Sequence, residues 1–65
     1  MYRYRLIDER SGADLGPFVS MRVAFTVGER LARVPDERYE LVQVVAAENE
    51  NFRAYLVVRL REDES

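Results

Sequence analysis

The sequence predicts an all-β fold, a small and partly open barrel of about five antiparallel strands. Three observations predict it: apolar residues recur with period two in several segments, Gly, Pro and acidic residues separate those segments, and no long helical pattern is present. A chain of 65 residues has room for one hydrophobic core. We therefore expect a single barrel domain over residues 1–61, followed by an acidic tail, 62–65, that frays.

The first strand is predicted over residues 2–8. One face of this segment is apolar and formed by Tyr2, Tyr4 and Leu6, whereas the other carries Arg3, Arg5 and Ile7. Residues 11–17 contain two glycines and a proline, which break regular structure, so this segment is expected to be a loop.

Residues 18–34 allow two interpretations. Val19, Met21, Val23 and Phe25 alternate with smaller or polar residues, which predicts a strand over 18–25. Thr26 and Glu29 have the spacing of a helical capping box, so one short helical turn before Pro35 is the alternative. Gly28 disfavours that helix, and we prefer a turn there with a short strand over 30–34.

The last part of the chain predicts a hairpin of two long strands, 39–46 and 52–61, joined by the polar loop 48–51. A tight turn at 35–38, opened by Pro35, precedes it. A regular register would place Tyr39, Leu41, Gln43 and Val45 on the inner face, opposite Leu60, Val58, Leu56 and Ala54. On the outer face Val42 would meet Val57, Val44 would meet Tyr55 and Glu40 would meet Arg59. A bulge would shift this register by one residue and exchange the faces.

Composition excludes several classes of function. The chain has no cysteine and no histidine, which removes disulfides, thiolate zinc sites and the commonest general base. The paired carboxylates, such as Asp8 with Glu9, fall in expected loops, where solvated turn residues are the ordinary interpretation. We therefore expect a non-enzymatic protein without a catalytic, cofactor or metal site. No apolar run approaches the length of a membrane helix, so a cytoplasmic location without a membrane partner is expected.

Several segments carry a resemblance to known proteins: 14–18, 25–30, 38–45 and 52–58. Together they resemble small five-stranded Src-homology-3-like barrels, and specifically short uncharacterised bacterial proteins of actinobacterial type. The resemblance implies a fold and no activity, because such barrels host unrelated functions.

Two surfaces are candidate sites. The expected outer face of the last hairpin is unusually apolar, which favours a protein partner, with a homodimer as the simplest. Its candidate residues are Val42, Val44, Tyr55 and Val57. The alternative is a single-stranded nucleic acid or another phosphate ligand, bound by arginines around Tyr55 on the first and last strands. Those arginines are Arg3, Arg5, Arg53, Arg59 and Arg61.

Overall fold

The computed structural model describes residues 1–33, 37–48 and 50–61 of the chain. Its five strands are β1 Tyr2–Asp8, β2 Asp14–Ser20, β3 Arg30–Arg33, β4 Glu37–Ala46 and β5 Ala54–Leu60. The described residues contain no helix, so the predicted all-β class is confirmed. Pro35 and Asp36 of the predicted turn, Val34, Asn49 and the acidic tail 62–65 lie outside the described residues.

The strands form one curled sheet in the order β2-β1-β5-β4-β3, an open half-barrel. Three of the strand pairs are antiparallel, but β1 and β5 run parallel. The expectation of antiparallel strands throughout is wrong at this pair. The reason is the route of the chain: β2 and β3 lie at opposite edges of the sheet, and residues 21–29, here called the crossing segment, pass over the concave side between them.

The crossing segment is held against the concave side by aromatic packing. Phe25 meets Tyr4 edge to face at 5.1 Å between ring centroids and lies 6.1 Å from Phe18. The Tyr4 hydroxyl donates a hydrogen bond of 2.7 Å to the carbonyl of Arg22. Residues 21–25 therefore lie above the sheet and do not continue β2. The predicted strand over 18–25 is wrong beyond Ser20.

The second strand is shifted towards the N-terminus, beginning at Asp14 within the expected loop. It is an edge strand, where Pro17 can leave its unpaired side to solvent. A bulge at Leu15 precedes Gly16, whose φ of 98° is disfavoured for residues with a side chain. The bulge lets Leu15 pack against the core, while Val19 remains 51% exposed.

The preferred interpretation of residues 26–33 is confirmed. The Glu29 amide donates to the Thr26 carbonyl at 3.0 Å, which closes a tight turn, and Gly28 adopts a φ of 97° within it. The Glu29 carboxylate also accepts from the Thr26 amide at 2.7 Å, as it would in a capping box. The capping contact is therefore formed, but the positive φ of Gly28 directs the chain into β3 and away from a helix.

The core lies on the concave side and draws on four strands. Its buried members are Tyr4, Leu6, Leu31, Tyr39, Leu41, Leu56 and Val58. At the far edge, Arg33 joins the two ends of the sheet: its guanidinium donates to Glu37 at 2.8 Å and to the Pro17 carbonyl at 3.3 Å. This contact links β3 to β2, the two edge strands of the half-barrel.

Candidate functional site

A bulge at Val42 divides the residues predicted to share one face. The predicted register holds from Tyr39 opposite Leu60 to Leu41 opposite Val58. Val42 then stands as an extra residue without a partner, and Gln43 lies opposite Val57. From this point every residue of β4 is shifted by one position, and the predicted faces are exchanged.

Val44 is the candidate residue that the bulge displaces most clearly. It lies opposite Leu56 and not opposite Tyr55, which takes Val45 as its partner. Because Leu56 is fully buried on the concave side, Val44 belongs to that side as well. The prediction that Val44 shares a face with Tyr55 and Val57 is therefore wrong.

Four apolar residues do meet on the convex side, and we call them the convex patch: Ile7, Val45, Tyr55 and Val57. Ile7 stands opposite Val57 in the parallel pair of β1 and β5, and Val45 stands opposite Tyr55. Val45 is 36% exposed, and the other members are partly buried. Phe52, from the loop after β4, packs on Tyr55 with ring centroids 6.2 Å apart. The patch spans three adjacent strands and retains access to solvent.

Three of the predicted arginines are paired with carboxylates of the same chain. Ion pairs join Arg5 to Asp14 at 2.6 Å, Arg59 to Glu9 at 3.1 Å and Arg61 to Glu40 at 3.2 Å. The hydrogen bond to Glu9 raises the pKa of the Arg59 guanidinium. These pairs frame the convex patch with charges of both signs, so the region does not present a uniformly basic surface.

The remaining two arginines are placed differently from one another. Arg53 turns towards the crossing segment, where its Nε donates to the Val23 carbonyl at 2.5 Å, and its guanidinium lies 4.9 Å from the Tyr2 ring centroid. Arg3 has no side-chain partner among the described residues. The five arginines therefore do not converge on one ligand position.

A cleft opens on the concave side, between the end of β4 and the crossing segment. It has a volume of about 330 Å³ and is lined mainly by apolar side chains. They are Tyr4, Val23, Phe25, Val44 and Leu56, with Ala24, Ala54 and Arg53 beside them. This cleft does not follow from the sequence pattern, which predicts a regular strand over 18–25 and does not locate the bulge at Val42.

Several carboxylates of the described residues serve local structure. Asp8 accepts hydrogen bonds from the amide and the hydroxyl of Ser11 at 2.9 and 2.8 Å, and the amide bond is the main cause of its lowered pKa. Glu9 is the partner of Arg59. In the part of the chain that the structure describes, no group of three or more acidic residues is placed to hold a metal ion.

Comparison with known proteins finds no match for this chain. No protein-family model matches the chain, and no curated protein or solved structure matches it. Among the described residues, no helix is long and apolar enough to cross a membrane. The function is therefore inferred from the surfaces of the domain itself.

Proposed function

We propose that this protein is a non-enzymatic interaction module that self-associates through the convex patch. The observation that carries the proposal is the apolar contact surface formed by Ile7, Val57, Tyr55 and Val45 across β1, β5 and β4. Small domains bury a limited fraction of their surface and often gain further burial by association. A second copy of the same patch would supply that burial.

The charges around the patch favour a symmetric partner. In an isologous dimer the same surface meets itself, so a uniformly charged rim would be repulsive. Here Arg5 is paired with Asp14, and Arg59 with Glu9. Arg5 and Arg59 thus each have a counter-ion within the same chain, which reduces the repulsion between two copies at these positions. The candidate set is revised accordingly: Tyr55 and Val57 remain, Ile7 and Val45 join them, and Val44 and Val42, the unpaired residue of the bulge, leave.

Nucleic acid or a phosphate ligand is the second candidate. Arg53 stacks on Tyr2, and Arg5 lies 4.5 Å above the Phe52 ring, so guanidinium and aromatic groups do occur together. Binding of a nucleic acid gains free energy from released counter-ions, and arginines that already hold carboxylates contribute less of it. Self-association is for this reason the preferred function, and salt-dependent binding of labelled RNA or DNA would support the alternative.

Sedimentation velocity over a range of protein concentrations tests self-association. We expect the wild-type protein to form a dimer and Val57→Arg to remain a monomer, because a charge would be buried at the centre of the interface. Val27→Arg is the matched control, since Val27 is 61% exposed in the crossing segment. A wild-type protein that is monomeric at every concentration would overturn the proposal, and circular dichroism of each variant would show that it is folded.

The family and the location expected from the sequence are also kept as proposals. The five curled strands support a Src-homology-3-like barrel, although the parallel β1–β5 pair departs from the expected topology. We propose that this protein is bacterial and of actinobacterial type. It acts in the cytoplasm with a protein partner and uses neither a metal nor a cofactor.

A further inference from the structure

The second half of β4 has an open backbone edge. On one side β4 pairs with β5 from Tyr39 to Ala46. On the other side β3 pairs only with residues 37–40, and two further backbone hydrogen bonds join Leu41 to Gly28 and Glu29. Residues 42–46 have no strand on that side among the described residues. Such an edge presents amide and carbonyl groups that another extended chain can pair with.

The cleft lies beside this edge, and Val44 belongs to both. Its side chain lines the cleft and is 43% exposed, and the floor beneath is formed by Leu56 and Ala54. Val23 and Phe25 of the crossing segment line it as well. The volume of about 330 Å³ lies in the lower part of the range of ligand pockets. A chain paired along the edge would have an apolar recess next to it.

Arg53 gives the cleft its charge. Arg53 is the one charged residue among the described residues that line the cleft. Its Nε is bound to the Val23 carbonyl, whereas its terminal guanidinium nitrogens have no described hydrogen-bond partner. They are strong, fixed donors for a carboxylate. Arg22, in the crossing segment, is already paired with Glu29.

We propose that the edge of β4 at residues 42–46 binds an extended peptide segment of another protein, which adds a strand to the sheet. One apolar side chain of the peptide enters the cleft, and a neighbouring Asp or Glu pairs with Arg53. Main-chain hydrogen bonds supply affinity in this mode of recognition, and side-chain pockets supply specificity. The cleft is separate from the convex patch, because the side chains of Val44 and Val45 lie on opposite faces of β4.

Selection from a displayed library of random short peptides tests the proposal. We expect the enriched peptides to share a large apolar residue next to Asp or Glu, without Pro between them. Affinity is then measured by fluorescence polarisation with a synthetic peptide of the enriched sequence. Replacement of its acidic residue by the matching amide should weaken binding about tenfold, as the loss of a charged hydrogen bond does.

Two valines on opposite faces of the sheet provide matched variants. Val44→Lys places a charge at the cleft and should weaken peptide binding at least tenfold, whereas Val57→Lys, on the convex side of β5 and outside the edge, should leave it unchanged. The two variants should have the reverse effects on sedimentation, because Val57 belongs to the convex patch. The failure of one proposal can thus be distinguished from the failure of the other.

Arg53 is tested by charge removal and by its conservative variant. Arg53→Gln should lose the preference for the acidic peptide, and Arg53→Lys should recover most of it. Amide hydrogen exchange should slow on peptide binding at the alternate amides of residues 43–46 that point away from β5, because those amides enter a new strand pair. Three results would overturn the proposal: no enriched sequence, binding that Val57→Lys abolishes, or binding without altered exchange in β4. A wild-type dimer that Val44→Lys dissociates would assign the edge to a second copy of this chain.

Discussion

Ile7 of β1 stands directly opposite Val57 of β5, and both side chains lie on the convex side of the two central strands. Central strands have partners on both edges, so any contact made here uses side chains and not the backbone. If the dimer axis passes close to this pair, Val57 of one protomer approaches the same residue of its partner. Opposite charges introduced at this position should therefore attract across the interface.

This symmetry predicts the behaviour of mixed variants. Val57→Arg and Val57→Glu should each be monomeric alone, because like charges would meet at the axis, and an equimolar mixture should recover dimers. Sedimentation velocity of the mixture measures the recovery. The same two substitutions at Val19, on the same side but at the edge of the sheet, should leave the wild-type dimer intact. A mixture that stays monomeric would place the axis away from Val57.

Two leucines of β5 provide a test of the core. Leu56 is fully buried, whereas Leu60 is 54% exposed. Leu56→Ala should cost about 2–5 kcal/mol through lost burial and the cavity that remains. A domain of this size is stable by only about 3–10 kcal/mol, so the variant is expected to be largely unfolded. Urea unfolding monitored by circular dichroism measures the difference, and Leu60→Ala should lose less than about 1 kcal/mol.

The two tyrosines of β1, Tyr2 and Tyr4, differ in whether the hydroxyl has a described hydrogen-bond partner. Tyr4→Phe removes the hydrogen bond to the Arg22 carbonyl and should cost about 1 kcal/mol. Tyr2→Phe is the control, because no described group bonds the Tyr2 hydroxyl. Limited proteolysis at the crossing segment should become faster in Tyr4→Phe and stay unchanged in Tyr2→Phe. Equal rates in the two variants would show that this bond does not hold the segment.

Glu29 predicts how the domain responds to acid. Its carboxyl pKa is lowered from the ordinary 4.5, first by the bond from Arg22 and then by the Thr26 amide. The unfolded chain therefore binds this proton more readily than the folded chain does. The stabilisation is complete above about pH 4.5 and is lost as the pH falls through the lower folded pKa. Thermal unfolding between neutral and acidic pH should show a shallower decline for Glu29→Gln than for the wild type, with Glu48→Gln as the control.

Tyr39 predicts the response to alkali. Burial, followed by the hydrogen bond that it donates to Glu37, raises the pKa of its phenol above the ordinary 10.0. The folded state retains this proton longer than the unfolded chain, so its contribution to stability is complete below about pH 10 and is lost as the pH rises through the folded pKa. Absorbance titration of tyrosinate in the wild type and in Tyr39→Phe should differ by a component that ionises above that value. A difference centred at the ordinary pKa would contradict this placement of the hydroxyl.

The parts of the fold that were predicted from the sequence are those set by local pattern. The alternation in β1, the turn at Gly28 and the apolar segments of the last hairpin each identify their element without knowledge of its neighbours. The bulge at Val42 could not be located in this way. The residues around it are mostly valines, which fit either face of a sheet, so both registers satisfy the hydrophobic pattern.

The remaining differences arise from long-range organisation. A proline would break a strand in the interior of a sheet, but Pro17 is tolerated because β2 is an edge strand. No local sequence signal identifies β2 as an edge strand. The parallel pairing of β1 with β5 depends on where the crossing segment passes. Of the four valine and tyrosine candidates, Tyr55 and Val57 lie together as expected, because they belong to a strand without a register shift. The cleft lies between the crossing segment and the displaced Val44, and neither of these positions follows from local sequence.

The pairing of β1 with β5 also has a consequence for the time course of folding. Tyr4 is paired with Ala54, so the centre of the sheet joins residues fifty positions apart. Closing so long a loop costs entropy before the contact repays it, and folds rich in distant contacts fold slowly. The β1–β2 hairpin and the three strands β3, β4 and β5 can each pair early from local sequence, but neither unit alone buries Leu6 or Leu56. During synthesis the core therefore cannot form before β5 has been translated. Until then the β1–β2 hairpin is accessible to chaperones and to other incompletely synthesised chains.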